Sequence, residues 1–162
     1  MRVSKRFLLL TLGSLSISAC SSTQMINFSV IQQSNQCHIQ AAKITSLSSE
    51  SEQAQFIKRY SLFKTPETNE ELVRSFAQHS EDEKLFIISQ GTKSSAGYGF
   101  EVQGEQATLN NHTLVLPITL TSPAKDAYLA QVMTSPCLVV GIDSKANYQS
   151  IVVDGLELKL AE

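Results

Sequence analysis

The chain has 162 residues, 42% of them hydrophobic and 17% charged, with seven glycines, four prolines and no tryptophan. That length suits one domain able to bury about two-thirds of its unfolded surface. Three of the 13 basic residues (Arg2, Lys5, Arg6) fall in the first nineteen positions, leaving ten against 15 acids thereafter, a balance that excludes a basic nucleic-acid surface and disfavours anionic lipid.

The first element is a leader. Arg2, Lys5 and Arg6 precede an apolar run from Phe7 to Ile17, and Ser18-Ala19 stand before Cys20. A basic start, a short apolar stretch and small residues at a cleavage point make a secretory signal. The run falls short of the ~20 residues that a membrane-spanning helix needs. Ser18-Ala19-Cys20 resembles the lipobox of bacterial lipoproteins. The resemblance implies that residues 1–19 are removed, that Cys20 is the lipid attachment point, and that several acyl chains hold it to a membrane. Ser21 in place of aspartate implies sorting to the outer membrane of a Gram-negative envelope, facing the periplasm. Residues 20–25 are then a lipidated tether and residues 26–162 a single globular domain.

Ile26, Phe28 and Val30 alternate with Asn27 and Ser29, which predicts a first strand. Cys37, Ile39 and Ala41 alternate with His38 and Gln40 and predict a second. Ser49, three residues before Glu52, has capping-box spacing. It opens a helix over Glu50–Leu62 with Phe56, Ile57, Tyr60 and Phe63 on its apolar side, and Thr65-Pro66 ends it. Thr68 with Glu71 repeats the spacing before a second stripe of Leu72, Val73, Phe76 and Ala77. His79 and Glu81-Asp82-Glu83 then read as a solvated turn.

The remainder reads as β. Leu85–Ile88 and Leu138–Ile142 are unbroken apolar runs, as expected of strands buried on both faces. Gly91 to Gly97 is a turn-rich loop, and Tyr98, Phe100 and Val102 alternate after it. Leu109–His112 predicts a tight hairpin, since asparagine tolerates positive φ. Thr113–Thr121 reads as one long strand interrupted at Pro117, on an edge or bulge. Asp154-Gly155 joins Ile151–Val153 to the alternating Leu156, Leu158 and Leu160 in a second hairpin. The expected fold is mainly β with two short helices (α+β), an antiparallel β-sandwich or half-barrel.

Apart from Cys20, the cysteines are Cys37 and Cys137. In an exported, oxidising compartment the pair reads either as a disulfide or as two buried apolar thiols, and both readings stand. Neither has a basic neighbour other than His38, which argues against a reactive thiol. His38, His79 and His112 lack metal-ligand spacing. Ser94 and Ser95 sit in the Gly91–Gly97 loop, but Lys93 occupies the place where a Gly-x-Ser-x-Gly elbow needs glycine. Gly97 and Gly99 open a strand, whereas a phosphate loop opens a helix. No catalytic residue, metal or cofactor is expected.

Several segments resemble the C-terminal domain of PrcB-type protease-complex subunits: Leu85–Ile88, the loop ending Ser95-Ala96-Gly97-Tyr98, Thr113–Leu120 running into Ser122-Pro123, and Thr134-Ser135-Pro136 leading into Leu138–Val140. Together they cover about residues 85–143. Ala96 stands where that family usually carries a further glycine. The resemblance implies a non-catalytic, envelope-anchored protein-binding or protease-accessory module. Its partner-binding loop would be Ser94, Ser95, Gly97 and Tyr98, with Ser122–Tyr128 beside it, and its partner a protein, a protease in the type case. The Gly-Tyr loop is also similar to loops that chagasin-type protease inhibitors present at one end of a β-sandwich, which gives a small inhibitor as an alternative. A serine hydrolase using Ser95 is a further one. The plainer reading gives Gly97 a turn and packs Tyr98 in the core with Phe100 and Val102.

Overall fold

A computed structural model describes residues 23–61 and 66–160. Ten strands and two helices follow in the order β1 (Gln24–Ser34), β2 (Ala42–Ser46), α1 (Glu50–Ser61), α2 (Pro66–Ser80), β3 (Glu83–Gln90), β4 (Gly99–Val102), β5 (Gln106–Asn110), β6 (Thr113–Val115), β7 (Ile118–Thr121), β8 (Cys137–Asp143), β9 (Ser150–Val153) and β10 (Leu156–Lys159). Eight strands form one sheet in the order β10-β9-β6-β5-β1-β8-β3-β2, and β4 and β7 form a separate ribbon. The large sheet curls until its edge strands β10 and β2 lie against each other, so the half-barrel is nearly closed. Its pairs are antiparallel except β6–β9, which is parallel.

Alternation along the central strands feeds two cores. Phe86 and Ile88 of β3, with Leu138, Val140 and Ile142 of β8, point into the barrel. Leu85, Ile87 and Val139 point the other way, against Phe56 of α1, Leu72 and Phe76 of α2, and the segment carrying Cys37 and Ile39. Both faces are therefore apolar, which is why these stretches carry no polar alternation. The Phe56 and Phe76 rings stack at 5.9 Å.

The capping box forms as its spacing requires: Ser49 N–H donates to Glu52 Oε2 (3.0 Å) and Glu52 N–H to Ser49 Oγ (3.2 Å). Thr68 is no N-cap, because α2 already starts at Pro66, and proline suits a first helical turn where its missing N–H is not needed. Phe63 and the side chain of Tyr60 lie outside the described residues, as do residues 1–22. Both tight turns have positive φ at their two central residues, Asn111 and His112 (46° and 63°) and Asp154 and Gly155 (42° and 84°), as type I′ turns demand.

Several expectations are corrected. The segment from Cys37 to Ala41 is not a strand; His38 is left-handed (φ 56°) and the ladder starts at Ala42. Val30 is exposed where Ile26 and Phe28 are buried, because a bulge between Val30 and Gln32 resets the register and turns Ile31 toward the helix-facing core. Thr113–Thr121 is two strands: the chain breaks at Leu116-Pro117 and β7 leaves the large sheet to pair with β4. Glu83 does not belong to a solvated turn. It opens β3, half-buried, accepts a hydrogen bond from Ser29 Oγ (2.8 Å), and lies over Gly141, where a side chain would collide with it. The first strand begins at Gln24, two residues before the expected domain edge.

Tyr148 is buried against Phe86, with centroids 6.4 Å apart, and Lys84 Nζ sits 5.4 Å from its ring centre. Its hydroxyl has no hydrogen-bond partner among the described residues. Loss of solvent, and secondarily the charge of Asp143, push its pKa well above the ordinary tyrosine value. The folded state therefore holds the phenol proton more tightly than the unfolded chain. That contribution is complete below about pH 10, the unfolded value, and is lost as the pH climbs from there toward the folded value. Tyr148→Phe keeps the ring contacts and removes the titration. We expect thermal melts of the wild type to fall more steeply than those of the variant above about pH 10; parallel curves would contradict this.

Candidate functional site

Three irregular segments converge at the end of the sheet where β1 and β3 finish and β8 begins: residues 35–41, 91–98 and 122–136. Their backbones are joined. Lys93 and Thr134 exchange both N–H···O bonds (2.8 and 2.9 Å), Ala96 N–H donates to Ala130 C=O (3.1 Å), and Thr92 N–H to Gln40 C=O (3.1 Å). The buried Gln90 amide, last in β3, donates to the carbonyls of Gly99 and Thr121 and so fixes the ribbon from which both long loops leave.

Ser135 joins the first segment to the third. Its hydroxyl accepts from Ile39 N–H (2.9 Å) and donates to Ile39 C=O (2.8 Å), while its backbone pairs with Asn35 and Cys37. Two residues on, Cys137 is bonded to Cys37 in a disulfide, with Cα atoms 6.0 Å apart. This bridge closes a loop of 100 residues; in the chain-entropy model a loop of that length is worth at most ~4.7 kcal/mol. The loops therefore stand on a cross-linked base.

The residues singled out from sequence fall as follows. Ser94 is exposed, and Ser95 is half-buried with its carbonyl accepting from Thr134 Oγ1 (3.1 Å). Gly97 has φ 94°, and a Cβ there would stand 3.0 Å from Pro123 Cβ and 3.2 Å from Leu129 Cδ2. Glycine thus lets the 91–98 loop press against the 122–136 loop. Tyr98 does not join Phe100 in the barrel core; it is half-buried at the loop base, with Lys93 Nζ 5.0 Å from its ring centre. Cys20 lies outside the described residues.

Exposed apolar residues extend past the expected Ser122–Tyr128 segment. Tyr128 is fully exposed, Met133 is 64% exposed and Val132 48%. Those three exposed side chains lie on one loop, whose end is braced by Gln36 Nε2 to the Met133 carbonyl (3.1 Å). The signal was present in the sequence as four large apolar residues, Tyr128, Leu129, Val132 and Met133, in a stretch without strand alternation. His112 lies on the β5–β6 turn and His79 at the end of α2, both at the other end of the sheet from Ser94 and Ser95. Among the described residues, no group of three or more His, Cys, Asp or Glu side chains is placed to hold a metal. No described helix is long and apolar enough to cross a membrane.

Ser135→Ala strands the Ile39 N–H and C=O in a buried setting, which costs about 1–3 kcal/mol. The exposed Ser94→Ala stays within about 0.5 kcal/mol of wild type. Chemical denaturation checks both, and equal stability of the two variants would show that Ser135 does not hold the loops.

No curated protein and no solved structure matches the chain significantly. Residues 85–143 match the family model described as PrcB C-terminal, the stretch that runs from β3 to β8 and carries both of the longer loops.

Proposed function

We propose that this chain is a lipid-anchored accessory module of a bacterial envelope, non-catalytic itself, whose paired loops bind a protein partner belonging to a protease system. The observation that carries the reading is the exposure of three large apolar residues, Tyr128, Val132 and Met133, on a loop whose base is fastened by Ser135, Gln90 and the Cys37–Cys137 bridge. Such a surface enters a partner with little ordering cost, because its backbone is already fixed. The family match at residues 85–143 supports the protease setting. The leader ending at Cys20 supports the anchor.

The topology adds a geometric argument. The chain enters the fold at Gln24, and β1 runs eleven residues before reaching the loop end. At ~3.3 Å per residue that separates the anchor side from the loops by roughly 35 Å. A lipidated Cys20 therefore leaves the loops free in the aqueous compartment.

A photoreactive residue placed at Tyr128 or Met133 tests the reading in intact cells. We expect the same protein adduct from both positions and none from Gln78, exposed on α2. Absence of a reproducible adduct, or equal capture from Gln78, contradicts the proposal. Where the captured protein is a protease, its turnover with and without this chain separates the two roles: a fall marks an inhibitor, and an unchanged or raised rate an accessory subunit.

A further inference from the structure

The two halves of the barrel's outer surface differ in kind. The helices and the Cys37–Ile39 segment cover the outside of β3, β8 and the end of β1. The adjoining half is made by the start of β1 with β5, β6 and β9, and no described helix residue belongs to the core cluster beneath it. It is also free of charge: Gln24–Asn27, Gln106–Asn110, Thr113–Val115 and Ser150–Val153 contain no Asp, Glu, Lys or Arg. In a chain that is 17% charged, four neighbouring strands without one ionic side chain make a distinct surface.

Register sets its outward rows. Met25, Thr108, Val115 and Val152 stand side by side across the four strands. Met25 is 51% exposed and Val115 41%. Some of the polar atoms around them are paired within the face. Gln106 Nε2 donates to Asn27 Oδ1 (3.2 Å), Ser150 Oγ to Thr113 Oγ1 (3.0 Å), and Thr23 Oγ1 to Asn110 Oδ1 (3.0 Å). Groups with partners inside the face lose little on leaving water. The bordering charges are Glu105 before β5, Asp154 after β9, and Glu157 and Lys159 on β10, with Glu157 next to Val152 in register.

We propose that this charge-free face rests on the bilayer surface beside the anchor, the inference resting on the reading of Cys20 as lipidated. Four residues, and so five Cα steps, separate Cys20 from Met25, a reach of at most ~17 Å when fully extended. A tether that short holds the face at high effective concentration against the headgroups, so weak contacts suffice. An acidic body is repelled by anionic lipid, and the four strands of this face bring no carboxylate of their own to the interface. Met25 and Val115 enter the headgroup layer while the amides and hydroxyls lie along it. The loop end lies at the opposite end of β1 from Met25.

The test uses the full-length chain in isolated envelopes, with Val115→Cys and Gln78→Cys compared for reaction with a membrane-impermeant maleimide. The Val115→Cys thiol is expected to react about tenfold more slowly in envelopes than after detergent extraction, as for a site open in about one conformer in ten, while the Gln78→Cys thiol reacts alike in both. A photoreactive group at position 115 should give lipid adducts. If the chain sediments with envelopes but the Val115→Cys thiol reacts as fast as after extraction, the face is overturned and the anchor stands. Recovery in the soluble fraction overturns the anchor and the face with it. Capture of a protein from position 115 overturns lipid as the occupant.

Discussion

Strand β8 is buried on both faces, and the rest of the structure depends on that double burial. Leu138, Val140 and Ile142 complete the barrel interior, while Val139 and Cys137 complete the layer beneath the helices. Its neighbours β1 and β3 are held to it over six and seven residue pairs. A slip of one residue would exchange the two faces, and neither core would accept the other's side chains. The register is therefore fixed by packing on both sides at once, and the position of every loop at the end of the strand follows from it.

That fixed register places Ser135 and Cys137 where they can hold the segment from Asn35 to Ile39. Through Thr134 it also places the Lys93 backbone and the Ser95 carbonyl. The exposed apolar residues of the 122–136 loop thus stand on a base that is covalently and hydrogen-bond closed. Order at the base and exposure at the tip is the usual division of labour where loops bind and a sheet supports. At the other end the chain enters at Gln24 beside strands that carry no charge, so the chain's entry and the exposed apolar loop lie at opposite ends of β1.

Much of this was legible wherever local chemistry decides the outcome. Asn111 and Gly155 marked their turns, Ser49 and Glu52 marked the start of α1, and the unbroken runs at Leu85–Ile88 and Leu138–Ile142 marked strands covered on both faces. Pro117 marked an interruption, but not that β7 would leave the sheet, because strand partners are set by the whole chain and not by the interrupting residue. Residues 37–41 alternate like a strand, yet the disulfide and Ser135 hold them as a covering segment. Alternation reports which residues face inward; it does not report whether a ladder forms. The parallel β6–β9 pair joins residues about 37 positions apart, as in Leu114 beside Ile151, and left no local trace. The charge-free face was visible as four uncharged strings, but only topology shows that they adjoin.

The functional claim at the centre is that a protein covers the 91–98 and 122–134 loops in the envelope. Hydrogen–deuterium exchange measures it directly, comparing the chain in native envelopes with the chain extracted into detergent. The account predicts slowed exchange across both loops in envelopes, with the amides of Cys137–Asp143 protected equally in the two states. Loop amides that exchange at the same rate in both states would contradict it.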